Sequence, residues 1–251
     1  MQTALTVAYF LNRGALVYGD RVAVVDEPDV PGSLGAITYA ELEARARGMA
    51  RYFDHLGVAQ GERVAIVSPN SARFLISYFG VSGYGRVLVP VNFRLSPAEI
   101  GYIVEHSGAS VLLYDPELTD VVADIAVEHR FALDGVDDAE LFAAAAAGIQ
   151  PEEWHADEDA TCSVNYTSGT TARPKGVQLT YRNCWLNAVT FGWHTGVSDR
   201  DVLLHTLPMF HCNGWGMPYA VTGMGGTHIV LRKVDGEEIL SRVERHGVTL
   251  L

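Results

Sequence analysis

Apolar residues recur at helical spacing over residues 38–56, TYAELEARARGMARYFDHL, where Leu42, Ala46, Met49, Ala50 and Phe53 fall on one face. Thr38 stands ahead of them as an N-cap, and Gly57 closes the helix. After a turn around residues 60–62, the run RVAIVS is short and β-branched, the composition of a buried parallel strand. Asn70 or Ser71 can cap the following helix, ARFLISYFGVSGYG, and VLVPV at 87–91 returns as a strand. Ser96, Pro97 and Glu99 supply the N-cap, N1 and N3 residues of a third helix, after which residues 110–114 form another strand. This alternation predicts an α/β fold of open, mostly parallel sheets flanked by helices, with right-handed crossovers.

Residues 134–160 break the rhythm with many Asp and Glu and an alanine run from Ala143 to Ala147, which predicts a surface helix and a solvated loop. The chain is expected to divide there, into a first α/β subdomain over 1–150 and the start of a second over 151–251. With 251 residues, 48% of them hydrophobic, there is enough apolar material for a packed core. A net charge of −12 has the wrong sign for a nucleic-acid or anionic-membrane binder. No stretch reaches the roughly 18 apolar residues of a transmembrane span. Asn12, Arg13 and Gly14 interrupt what could otherwise be a secretory leader. Cys162, Cys184 and Cys212 stand far apart with no metal or disulfide spacing, so a cytoplasmic location is expected.

The richest chemistry begins at Thr161. The segment TCSVNYTSGTTARPKGVQLT reads as a strand, a loop of hydroxyls and glycine, and a second strand at residues 177–179. Thr167, Ser168, Thr170 and Thr171 offer four hydroxyls, and Gly169 lets a ligand approach the backbone. Lys175, one of only two lysines among 18 basic residues, adds a point charge suited to phosphate oxygens. The spacing departs from a Walker A loop, because Pro174 precedes the lysine and Gly176 follows it. From the residues alone, a phosphate loop and an ordinary polar surface turn both stand.

A second segment, LPMFHCNGWG at 207–216, follows the apolar Val202, Leu203 and Leu204. Its aromatics and glycines suit the wall of an apolar pocket. By itself, His211 is only a modest candidate, because a histidine in an apolar stretch is more often a satisfied core residue than a pocket residue. His205, His211 and Cys212 match no common zinc spacing. If the segment is extended, His211 and Cys212 point to opposite faces and form no catalytic pair.

YTSGTTARPKGV resembles the signature of the adenylate-forming superfamily, which includes acyl-CoA synthetases, luciferases of the firefly type and nonribosomal peptide adenylation domains. The resemblance extends through RVAIVSPNSARFLISYFGVSGYGRVLVPVNFRLSPAEIGYIVEHSGASVLLYD. One departure is Ala172, where the usual pattern has glycine. PMFHCNGW is similar to the segment with which acyl-CoA synthetases border the carboxylate pocket.

The resemblance implies the N-terminal part of the adenylate-forming fold and a fatty-acid or other carboxylic-acid–CoA ligase. ATP and coenzyme A would be co-substrates, and Mg²⁺ the metal. It places the ATP phosphates on Thr167, Ser168, Gly169, Thr170, Thr171 and Lys175, with Thr167 at the magnesium. His211 and Lys175 would act in catalysis, and His211, Gly214 and Trp215 would shape the acid pocket. Superfamily members are about twice this long, so the adenine motif, the hinge and the C-terminal domain are expected elsewhere. The chain alone is then expected to be inactive and to self-associate, or to pair with a C-terminal half. Two other readings remain: an inactive, partner-binding short product, and an acyl-AMP ligase that loads a carrier protein.

Overall fold

The computed structural model describes residues 3–28, 30–167 and 173–251. In chain order the first half forms α1 (Ala8–Tyr18), β1 (Val22–Val25), β2 (Ala36–Thr38), α2 (Tyr39–His55), β3 (Arg63–Val67), α3 (Ala72–Gly80), β4 (Val87–Val91), α4 (Pro97–Ser107), β5 (Ala109–Tyr114) and β6 (His129–Ala132). The second half adds β7 (Thr161–Thr167), β8 (Lys175–Thr180), α5 (Tyr181–Thr195), β9 (Val202–Leu204), α6 (Met217–Met224), β10 (Thr227–Ile229) and α7 (Gly236–His246).

The helix starts follow local chemistry. Thr38 and Glu41 form a reciprocal capping box at α2, Ser96 and Glu99 another at α4, and Ser71 rather than Asn70 caps α3. All nine residues of α3 are buried, including Arg73, whose charge is paired with Asp138.

The strands make two sheets. One has the order β6-β5-β3-β4-β7-β8, parallel throughout except for the β7–β8 hairpin. The other has the order β2-β1-β10-β9, with β2 antiparallel at its edge. The open, mostly parallel α/β architecture is therefore the one read from the sequence. Both sheets draw strands from either side of residue 150, since β1 pairs with β10 and β4 with β7.

The acidic stretch differs from its expectation. Residues 134–160 form no helix and instead lie as a strap across α2. Leu141, Phe142 and Asp138 are buried, and Asp138 pairs with the Arg73 side chain. Arg45 donates to the Phe142 carbonyl, and Arg47 donates to those of Ala146 and Ile149. Gly48 permits this close passage, because a Cβ there would lie 1.9 Å from the Ala143 carbonyl oxygen. Composition pointed to a solvated surface; three buried anchors override it.

Beneath the four-stranded sheet, His205 Nε2 lies 2.9 Å from His228 Nδ1, and His228 Nε2 lies 2.9 Å from Thr222 Oγ1. Both rings are buried. Burial depresses the His205 pKa to about 4, and burial together with the neighbouring His205 holds His228 well below the ordinary histidine range. The unfolded chain takes up these protons near pH 6.5 and the folded chain does not, so stability is complete above that pH and falls as acid is added. His205 alone should remove about 2 kcal/mol between pH 7 and 5. Thermal melts at the two pH values check this, and His205→Gln should reduce the dependence, leaving the share that belongs to His228.

Candidate active site

The two sheets bring the carboxyl ends of β3, β4 and β9 together, the position at which open α/β sheets bind ligands. Asn70, just beyond β3, holds the segment that leaves β9. Its amide nitrogen donates to the carbonyls of His205 (2.9 Å) and Leu207 (3.0 Å), while its oxygen accepts from the Met209 N–H at 2.7 Å. The Tyr78 hydroxyl adds a 2.5 Å bond to the Met209 carbonyl. Phe93, beyond β4, meets Phe210 edge-to-face at 5.6 Å, and Arg94 lies over both rings. Nothing in the spacing of Asn70 announced this role.

The chain then turns left-handed. Cys212, Asn213, Gly214, Trp215 and Gly216 all have positive φ, between 50° and 77°. Glycine adopts this conformation readily, whereas the other three residues are rare in it. The turn aims Asn213 inward. Its amide donates to Ser163 Oγ at 2.8 Å and its oxygen accepts from the Asn165 amide at 3.1 Å, which ties the turn to β7.

This geometry corrects one expectation. His211 itself is extended, but Cys212 is left-handed, and its Sγ lies 3.6 Å from His211 Nε2 on an exposed surface. Cys162 and Cys184 are buried. One thiol per chain should therefore react quickly with a disulfide reagent under native conditions, and all three after unfolding. Cys212→Ser should abolish the fast phase.

Between the left-handed turn and the β7–β8 hairpin lies a cleft of about 630 Å³. Thr167, at the end of β7, lines it together with Val177, Leu179, Cys212, Trp215 and the α5 residue Phe191. Phe191 and Trp215 pack edge-to-face at 6.0 Å. Thr167 pairs in register with Lys175 across the hairpin, and both are exposed. Braces from α4 hold the hairpin at its loop end: His106 Nδ1 lies 2.8 Å from the Tyr166 hydroxyl, and Arg173 sits over Tyr102.

Thr167 and Trp215 thus meet at one cleft. Lys175 stands beside it across the hairpin, and Gly214 is buried within the turn. His211 is exposed at the turn's entrance and is not among the lining residues. Ser168, Gly169, Thr170, Thr171 and Ala172 lie outside the described residues.

The model of the AMP-binding enzyme family matches residues 11–251. The chain belongs to that family. The long-chain-fatty-acid–CoA ligase of Thermus thermophilus is 36% identical over 99% of this chain and 47% of its own length. A feruloyl-CoA synthase from Amycolatopsis is 37% identical over 86% of this chain and 43% of its own length. The chain thus spans about half the length of the ligases it matches. An inhibitor-bound N-terminal domain of FACL13 from Mycobacterium tuberculosis superposes with a TM-score of 0.84 at 30% identity, covering 97% of this chain and 61% of that one. This member of the AMP-binding enzyme family therefore has the fold of the N-terminal domains of acyl-CoA ligases. Among its described residues no helix is long and apolar enough to cross a membrane.

Proposed function

We propose that this chain is the acid- and phosphate-binding part of a fatty-acid or other carboxylic-acid–CoA ligase. A carboxylate oxygen attacks the α-phosphate of ATP and pyrophosphate leaves, giving acyl-AMP; the thiol of coenzyme A then displaces AMP. The observation that carries this reading is the meeting of the Thr167 end of the hydroxyl-rich loop with the Trp215 turn at one cleft. The two motifs are some 40 residues apart in sequence.

Lys175 and the hydroxyls of Ser168, Thr170 and Thr171, with the backbone at Gly169, hold the departing phosphates as negative charge develops on them. His211 positions the acid's carboxylate or faces the growing charge, while Gly214 and Trp215 shape the pocket. Mg²⁺ favours oxygen donors and keeps most of its shell from phosphates and water. The exposed Thr167 hydroxyl fits such a site, and the described residues contain no cluster of three His, Cys, Asp or Glu that would form a closed cage. When bound, the ion would neutralise charge between phosphate oxygens.

Pyrophosphate release from ATP, with short, medium, long and aromatic acids, tests the reading on the protein that carries this chain. Acid-dependent release is expected. Its absence with every acid would favour an inactive, partner-binding product.

A further inference from the structure

Strand β7 carries Ser163, Asn165 and Thr167 on one face, since alternate residues of a strand point the same way. Asn165 and Thr167 line the cleft, and Ser163 and Asn165 are buried. With Asn213 the two buried residues close a hydrogen-bonded ring. The Asn213 amide donates to Ser163 Oγ (2.8 Å), the Ser163 hydroxyl donates to Asn165 Oδ1 (3.3 Å), and the Asn165 amide donates to Asn213 Oδ1 (3.1 Å). Each member gives one bond and takes one, so each bond polarises the next.

The ring sits between the two halves of the site. Thr167 follows Asn165 by two residues, about 7 Å along the strand, and Trp215 follows Asn213 by two in the left-handed turn. Both line the cleft. An apolar contact at this point would tolerate a slip, but the ring does not. A shift of one residue along β7 presents Val164 or Tyr166, which pack in the opposite layer of the core, and it leaves buried polar groups unpaired. Asn70 acts elsewhere, on residues 205–209 ahead of the turn.

We infer that Ser163, Asn165 and Asn213 are positioning residues whose ring holds Thr167 and the Trp215 turn at one fixed spacing, and so brings the acid's carboxylate into line with the α-phosphate. This rests on the proposed reading of the cleft as the place where acyl-AMP forms. The three side chains are neutral and engaged with one another, so they act through the parts they hold. Their loss therefore falls on the reacting geometry and spares the phosphate contacts of ATP.

The test uses Asn165→Leu, Asn213→Gly and the double variant in the protein that carries this chain, well below the lowest Tm. Glycine keeps the left-handed backbone at 213 and removes only the amide. Each single change should lower kcat for pyrophosphate release about 100-fold, the cost of misplacing reacting groups by roughly 1 Å. KM for ATP should move by less than about threefold. The double variant should be no slower than the slower single one, because a ring opened once is already open. A second readout needs no turnover. Cys184 lies under the turn, its Sγ 4.0 Å from the Asn213 amide nitrogen. In a Cys212→Ser background a disulfide reagent should label Cys184 in Asn165→Leu but not in the parent, while Cys162 stays protected in both, as peptide masses would show.

Lower Tm with unchanged kcat, or losses that multiply in the double variant, would overturn the inference and leave the ligase reading standing. If no acid supports pyrophosphate release even in the parent, the ligase reading falls, and with it the alignment of carboxylate and phosphate. Cys184 labelling then decides the ring's hold on the turn: protection retained in Asn165→Leu would overturn that as well.

Discussion

Replacing Lys175 by alanine should lower kcat/KM for acid-dependent pyrophosphate release about 100-fold, the scale on which single charge-stabilising donors act. The ammonium begins β8 opposite Thr167 and is exposed, so its loss opens no cavity. The hairpin keeps its braces from Tyr102 and His106. Tm should accordingly stay close to that of the parent. Lys175→Arg retains the charge but replaces a point donor with a planar fork, and it should recover only part of the rate. Ala172→Gly, which restores the usual loop residue, should change activity by less than Lys175→Ala does. A large fall in Tm, or equal effects of the two substitutions, would remove Lys175 from the phosphate site.

Much of this arrangement was open to a reader of the sequence where the signal is local. The N-cap at Thr38 and the Ser96–Glu99 helix start depend on residues at most three apart, and both formed as read, Glu41 completing the box at Thr38. The β-branched runs at β3 and β4 needed only burial, and the hydroxyl-rich segment lies between paired strands as expected. What stayed hidden depends on distant partners. The pairing of β1 with β10 joins residues about 200 apart, beyond any periodicity argument. The acidic stretch gave a polar signal, while Asp138, Leu141 and Phe142 decided its place by finding Arg73 and α2. At 212–216, only two of five residues are glycines, so a continuous left-handed turn had no compositional mark. Its consequence was nonetheless large, because it turned Asn213 into the floor and Cys212 toward His211.

Asn70→Ala should be the most damaging substitution away from the ligand-binding residues. One buried side chain satisfies two carbonyls and one N–H of the strand exit that leads to His211. Deleting it leaves three main-chain groups without their partner, at a cost of about 3 kcal/mol if each loses about 1. The Tyr78 hydroxyl holds only the Met209 carbonyl, so Tyr78→Phe should cost nearer 1 kcal/mol. Asn70→Asp preserves the shape but sets a carboxylate against the carbonyls of His205 and Leu207, and it should be no better than alanine. Denaturant melts give these differences. Activity separates a merely weaker fold from a displaced turn: under conditions where Asn70→Ala remains folded, its kcat/KM should still fall, because residues 207–216 have lost their anchor to β3. If Asn70→Ala loses stability but, once folded, works as well as the parent, then Phe93, Phe210 and Asn213 suffice to place the turn. The loss of the alignment should fall hardest on the acid, whose pocket the turn forms, and less on ATP, whose phosphate loop is braced independently by α4.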